Sequence, residues 1–394
     1  MSLSFANTEV AFKHKSNLDL KKSYTLFKAL EFPIIVNYAP KLVNFLINMK
    51  LPIMGLIKKT VFQQFCGGET ILESNYFAKN LHRNKIGAIL DYSVEGEGAM
   101  SDFIKTFEEL KSVINEAANK PEYPFAVFKS SGIGSFSVLA VKSINEKLSL
   151  EQQNQFDQLV ERMNFLCKYA HQNKVKLLID AEETWIQDAV DEIVYANAKE
   201  FNQDYITVYN TIQLYRKGRI EEILKQIDLA RKFGYKIGFK LVRGAYMEKE
   251  VLRSLNLNYP NPIHDNKADT DRDYNLALEI CFKNRDVVSI MAGTHNEKSS
   301  LLLAELIDNN NISKSDDRFW FAQLYGMSDH ISYNLANEGF NVAKYLPYGP
   351  VKEVLPYLSR RAQENSSVKG QSSRELSLIN QEIKRRKAIK YTQK

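Results

Sequence analysis

The sequence predicts an α/β fold, a (β/α)8 barrel of the TIM type preceded by a helical N-terminal segment. Two observations carry this: eight short apolar runs, often β-branched, recur from residue 86 onward, and amphipathic stretches of helix length separate them. Such alternation calls for a parallel sheet, because parallel strands need a long crossover connection, and eight strands close a barrel.

Residues 1–80 read as helical, with apolar positions at helical spacing around Tyr24–Leu30 and Val43–Phe65. The strand candidates are Ile86–Asp91, Phe125–Lys129, Val175–Asp180, Ile206–Thr211, Ile237–Val242, Val288–Ala292, Phe319–Leu324 and Asn341–Leu346. The helix candidates are Asp102–Ala118, Leu150–Gln172, Trp185–Lys199, Arg219–Phe233, Asp271–Lys283, Lys298–Asn309, Asp329–Gly339 and Val351–Glu364. The barrel is expected over 81–365. Ser366–Ser373, rich in Ser, Gly and Lys, reads as a linker, and the basic segment after it as a surface helix.

The chain has 394 residues, 44% hydrophobic and 25% charged, which excludes a disordered chain, a collagen-like repeat and a small stapled scaffold. The net charge of +6 is too mild for a dedicated nucleic-acid binder, and much of the excess lies between Arg374 and Lys394. Cys66, Cys167 and Cys281 are widely spaced, so neither a disulfide framework nor a structural zinc site is expected. The longest apolar-rich stretch, Phe32 to Leu56, is broken by Pro33, Pro40, Lys41, Lys50 and Pro52, so no transmembrane helix is expected. The N-terminus lacks a signal-peptide layout, and the expected setting is the cytosol.

A barrel places chemistry at the carboxyl ends of its strands. Here those ends carry Asp91, Lys129, Asp180, Gln213, Arg243, Thr294-His295, Gln323 and Tyr345. The run Lys240-Leu241-Val242-Arg243-Gly244-Ala245-Tyr246 sets two cations three residues apart before a glycine, which suits close backbone approach to a large anionic ligand. In the last helix Tyr357, Arg360, Arg361 and Glu364 fall near one face, and paired arginines can fork a carboxylate. His14, His82, His171, His264 and His330 are scattered and read as surface or packing residues. Neither a GxGxxG, a P-loop nor a GxSxG occurs, and Asp316-Asp317 and Asp269-Thr270-Asp271 lack calcium-loop spacing.

Three motifs in order, Lys240–Tyr246, Thr294-His295-Asn296 and Tyr345-Leu-Pro-Tyr-Gly-Pro with Tyr357-Leu-Ser-Arg360-Arg361-Ala-Gln-Glu364-Asn365, resemble the proline dehydrogenases over roughly Gly67 to Asn365. The resemblance implies a distorted (β/α)8 barrel, FAD as cofactor and oxidation of L-proline to 1-pyrroline-5-carboxylate by hydride transfer from C5 to flavin N5. Lys240 would lie near N5. Val242, Arg243, Gly244 and Ala245 would hold the flavin, with Ala181, Gln213, Lys267, Thr294, His295, Asn296, Gln323 and Glu364 as further contacts. The family more often carries arginine at the first cation position and lysine at the later one, so the two are exchanged here. Lys129, Arg360 and Arg361 match the groups that hold the proline carboxylate, while Asp180, Tyr246, Leu324, Tyr345 and Tyr357 match the rest of the pocket. Glu97 resembles a carboxylate that closes over the substrate by pairing with Arg360, and Asp180 is expected to orient Lys129 and the pocket tyrosines.

The resemblance further implies a monofunctional enzyme that passes electrons to a membrane quinone and hands its product to a separate pyrroline-5-carboxylate dehydrogenase. The placement would be cytoplasmic, with weak peripheral contact at the inner face of the membrane aided by Lys384–Lys387, or mitochondrial in a eukaryote. The bulk of Tyr345 favours proline over hydroxyproline. Three alternatives stay open: a hydroxyproline dehydrogenase, a methylenetetrahydrofolate reductase-like flavin barrel, and a binding protein acting through its basic tail.

Overall fold

The structure is a computed structural model describing residues 3–32, 52–94, 99–367 and 371–392, with 36, 38, 43, 45–47 and 49; for 364–367, 371–373 and 390–392 the backbone alone is described. Eight parallel strands close a barrel in chain order: β1 Ile86–Tyr92, β2 Phe125–Lys129, β3 Lys176–Asp180, β4 Val208–Gln213, β5 Ile237–Val242, β6 Val288–Gly293, β7 Phe319–Leu324 and β8 Val342–Tyr348. β2, β5 and β7 have the predicted bounds, and the others shift by one or two residues at an end. The shift in β4 brings Gln213 inside the strand. Every residue of β4 and of β8 is buried, the expected state of parallel strands covered on both faces.

All eight predicted helices form, and two keep their predicted bounds for visible reasons. Leu150–Gln172 starts at a capping box, in which the Ser149 side chain accepts from Gln152 N while Gln152 accepts from Ser149 N. Arg219–Phe233 is bracketed by Gly218 and Gly234, both left-handed. Two shorter helices, Phe136–Ser143 and Met247–Asn256, were not predicted.

The chain divides into two compact units, residues 96–322 and residues 1–95 with 323–394. In the first, strand register prepares the site: Lys129 lies beside Asp180 across β2 and β3, and Thr211 beside Lys240 across β4 and β5. In the second, β1 and β8 pair from Ile86↔Val342 to Tyr92↔Tyr348. A separate apolar core in this unit joins Phe12, Leu20, Phe27 and Phe65 to Leu378 and Ile379.

That core corrects the reading of the tail. Ser366 and Ser367 close the helix Leu355–Ser367, and Gln371–Ser373 open the helix Gln371–Thr392, so the stretch expected to be a linker is largely helical. The last helix is a packed element rather than a surface one, with Leu378 and Ile379 buried. Arg386 donates to the carbonyls of Phe12 and Lys15 at 2.8 Å each and to Glu382 at 2.7 Å, while Arg385 pairs with the same buried carboxylate at 2.8 Å. Basic composition hid an apolar face. No described helix is long and apolar enough to cross a membrane.

Candidate active site

In the unit 96–322, polar side chains gather at the ends of β3 to β6. Lys240 Nζ donates to Asp180 Oδ1 at 2.6 Å, and the two side chains are only 8% and 13% exposed. Lys240 borders β4 through Thr211, so its chain passes over that strand to reach the end of β3. The expectation that Asp180 serves Lys129 is therefore incomplete, because its carboxylate holds Lys240. Lys129, next to Asp180 in register, is half-buried. Gln213 donates from Nε2 to the Glu182 carbonyl, which turns its Oε1 away; that oxygen is buried without a hydrogen-bond partner.

Arg243, one residue past β5, is gripped on every side. Nε donates to Asp271 Oδ1 at 2.6 Å, Nη1 to Thr294 Oγ1 at 2.7 Å and Nη2 to Ser299 Oγ at 2.9 Å, and the guanidinium lies 4.3 Å from the Tyr274 ring centre. Lys267, expected near the flavin, is exposed and pairs with the other oxygen of Asp271. Asn296 caps the helix Glu297–Asn309, its side chain accepting from Ser299 N and its own N–H bonding Thr294 Oγ1. Gly244 follows with φ at +128°, where a Cβ would sit 2.5 Å from the Tyr215 ring. No other residue type fits there. Ala181, Val242, Tyr246 and His295 are half-buried and Ala245 is exposed at these same strand ends.

Sequence reasoning missed Asp271, Ser299 and Glu182. Glu182 is buried and accepts from Ser131 Oγ at 2.6 Å and Ser131 N at 3.2 Å; burial pushes its carboxyl above the ordinary range despite those bonds. Asp271 goes the other way: burial raises it, but Lys267 and Arg243 outweigh that and hold it below the carboxylate norm. The signal for Asp271 was the Asn266 cap, which accepts from Asp269 N and starts its helix four residues before the predicted Asp271.

The unit containing β8 holds most of the other predicted residues. Tyr345 on β8 and Tyr357 are buried, 5% and 6% exposed, and Arg361 is 7% exposed with its guanidinium 5.0 Å from the Tyr357 ring centre. Arg360 and Leu324 are half-buried. Buried Gln323 accepts from Ser332 Oγ at 2.8 Å, and Asp91 at the end of β1 accepts from Ser93 Oγ at 3.0 Å. Glu97 and the side chain of Glu364 lie outside the described residues.

The model of the family described as proline dehydrogenase matches residues 76–374. The chain belongs to the proline dehydrogenase family. Its proline dehydrogenase relatives include mitochondrial proline dehydrogenase 1 of Dictyostelium discoideum, 31% identical over 426 residues that cover 96% of this chain and 74% of the relative. A hydroxyproline dehydrogenase from Xenopus laevis is 30% identical over 423 residues, covering 98% and 90%. Among solved structures, proline utilization A from Bdellovibrio bacteriovorus inactivated by N-propargylglycine superposes with a TM-score of 0.72 at 20% identity. The match covers 91% of this chain and 38% of that much longer one, and it shows that this family member shares the distorted barrel.

Proposed function

We propose that the chain oxidises L-proline to 1-pyrroline-5-carboxylate with FAD as the hydride acceptor. Family membership supports the substrate class. The observation that carries the cofactor is the set of groups on β4 and β5: the buried Gln213 Oε1 without a partner stands with two oriented cations, Lys240 and Arg243. These residues fit a flavin nucleotide. The amide offers an acceptor, Gly244 supplies backbone free of a side chain, and the cations suit phosphates and the negative charge of a reduced ring. Ala181, Val242, Ala245, Lys267, Thr294, His295, Asn296, Gln323 and Glu364 are the further contacts proposed.

Bound there, FAD supplies a two-electron acceptor for the hydride. The chain's own part is binding and orientation. Arg360 and Arg361 fork the substrate carboxylate, and Lys129 is the third cation proposed for it. Leu324, Tyr345 and Tyr357 are the ring contacts proposed in the unit that contains β8, and Tyr246 is the one proposed beyond the end of β5. Fixing the carboxylate aims C5, and such orientation is worth several kcal/mol, of order 7, toward the barrier. Asp180 holds Lys240 in place and takes no proton from substrate.

Electrons then pass to a membrane quinone, which the chain meets as a cytoplasmic, peripherally bound protein, or in the mitochondrion if it is eukaryotic; a separate dehydrogenase takes the product. Residues 81–365 are the proposed catalytic barrel, with 1–80 and 366–394 as accessory segments. The Xenopus relative favours hydroxyproline as a second reading, which the buried bulk of Tyr345 opposes. An anaerobic visible spectrum of the purified protein is the test. Flavin absorption that bleaches with L-proline is the expected result; bands that persist with proline and fade with NADH would shift the reading to a reductase.

A further inference from the structure

We propose that Asp271 is a positioning residue that, through Arg243, sets how long the chain retains its flavin. The inference rests on the proposed FAD site and goes beyond it to a residue on a different element, the helix Lys267–Lys283.

Arg243 stands at a strand end with its side chain only 19% exposed, and a long side chain in such a place can swing among several rotamers. Here the three nitrogens meet three acceptors at 2.6, 2.7 and 2.9 Å, and the flat face rests on Tyr274. Asp271 alone among the acceptors is charged, so its bond is the strongest of the three. The other two are themselves fixed. Ser299 Oγ donates onward to Asn275 Oδ1 at 2.7 Å, and Thr294 Oγ1 accepts from Asn296 N at 3.1 Å. Lys267 holds the second oxygen of Asp271, so the carboxylate cannot rotate away. The guanidinium plane is thus determined before any ligand arrives, and a preformed cation saves the ordering cost of binding an anion.

Position and charge make opposite forecasts. If Asp271 acted only as a negative charge beside an anionic ligand, removing it would tighten FAD binding. If it acts by holding Arg243, removing it loosens FAD. The measurement is the release rate of FAD from full-length holoenzyme, followed by the recovery of flavin fluorescence on dilution. Asp271→Ala is expected to release FAD about tenfold faster, the value of one charge-assisted hydrogen bond. Asp271→Glu should recover part of that loss, and Ser299→Ala should show a smaller effect of the same sign. In an Arg243→Ala background, Asp271→Ala should change the rate less than about twofold, because the two act as one unit. An unchanged or slower release in Asp271→Ala would overturn the inference, as would an equal effect with and without Arg243. A wild-type protein that carries no flavin would overturn the cofactor reading itself, a result separate from any difference between variants.

Discussion

The Lys240 side chain is only 8% exposed, and the carboxylate of Asp180 stands 2.6 Å from its Nζ. Breaking such a pair from one side is costly because it strands the remaining ion. Asp180→Ala should therefore lower stability by about 3 kcal/mol in urea unfolding of the flavin-free protein. If turnover of Asp180→Asn equals that of the parent, Asp180 leaves the list of groups that matter to chemistry. Tyr345 makes a different forecast. Its 5% exposure means the ring fills its place, so Tyr345→Ala should open room for a ring hydroxyl. The ratio of kcat/KM for 4-hydroxyproline over proline should rise about tenfold, since pocket contacts of this size are worth 1–3 kcal/mol. An unmoved ratio would show that Tyr345 does not read the ring.

At the scale of elements, strands and long helices were legible because burial enforces their periodicity. β5 is apolar apart from Gly238 and Lys240, the helix Arg219–Phe233 is bracketed by glycines, and the predicted ends of both match. Phe136–Ser143 escaped because it is short and largely apolar, with no polar face to mark a helical period. Met247–Asn256 escaped because Tyr246 sits at its cap position and gives no side-chain capping bond. The site residues on strands were legible from their polarity at strand ends, whereas Asp271 and Ser299 belong to helices and declare their role only once Arg243 is seen between them. The C-terminal helix is the clearest divergence. Arg386 donates to the carbonyls of Phe12 and Lys15, the first of which also accepts from Lys15 N at 2.9 Å. Arg386→Ala should cost about 1–3 kcal/mol, read as a lower urea midpoint. The same change should leave liposome sedimentation as it was, since this guanidinium faces inward; a selective loss of vesicle binding with stability intact would refute that assignment.

For the molecule as a whole, the pH profile of stability follows from a buried charge cluster inside the unit that contains β8. Asp329 pairs with Lys344 at 2.8 Å and Lys15 at 3.0 Å and lies 3.6 Å from His14, whose ring stacks on Tyr333 with centres 3.9 Å apart. Burial pushes Asp329 upward, but the two lysines and His14 outweigh it and hold the carboxyl well below its ordinary value, so its contribution persists above pH 4 and disappears only in stronger acid. Burial depresses His14 against the pull of Asp329. Below the ordinary histidine value near 6.5 the unfolded chain takes up a proton that the folded chain refuses, so this group makes stability fall as pH drops. Glu375, which accepts from Ser328 N at 3.0 Å, has the opposite sign. Burial raises its carboxyl, the folded chain keeps a proton that the unfolded chain loses above about 4.5, and stability falls as pH rises. Between pH 4.5 and 6.5 the two therefore oppose each other. Relative to the parent protein, His14→Phe should remove the rising component and tilt the profile of urea-unfolding free energy downward with pH, by at most about 1.4 kcal/mol per unit. Glu375→Gln should tilt it upward, and the double variant should lie between them. Single variants that both reproduce the parental slope would mean that neither group changes its proton affinity on folding.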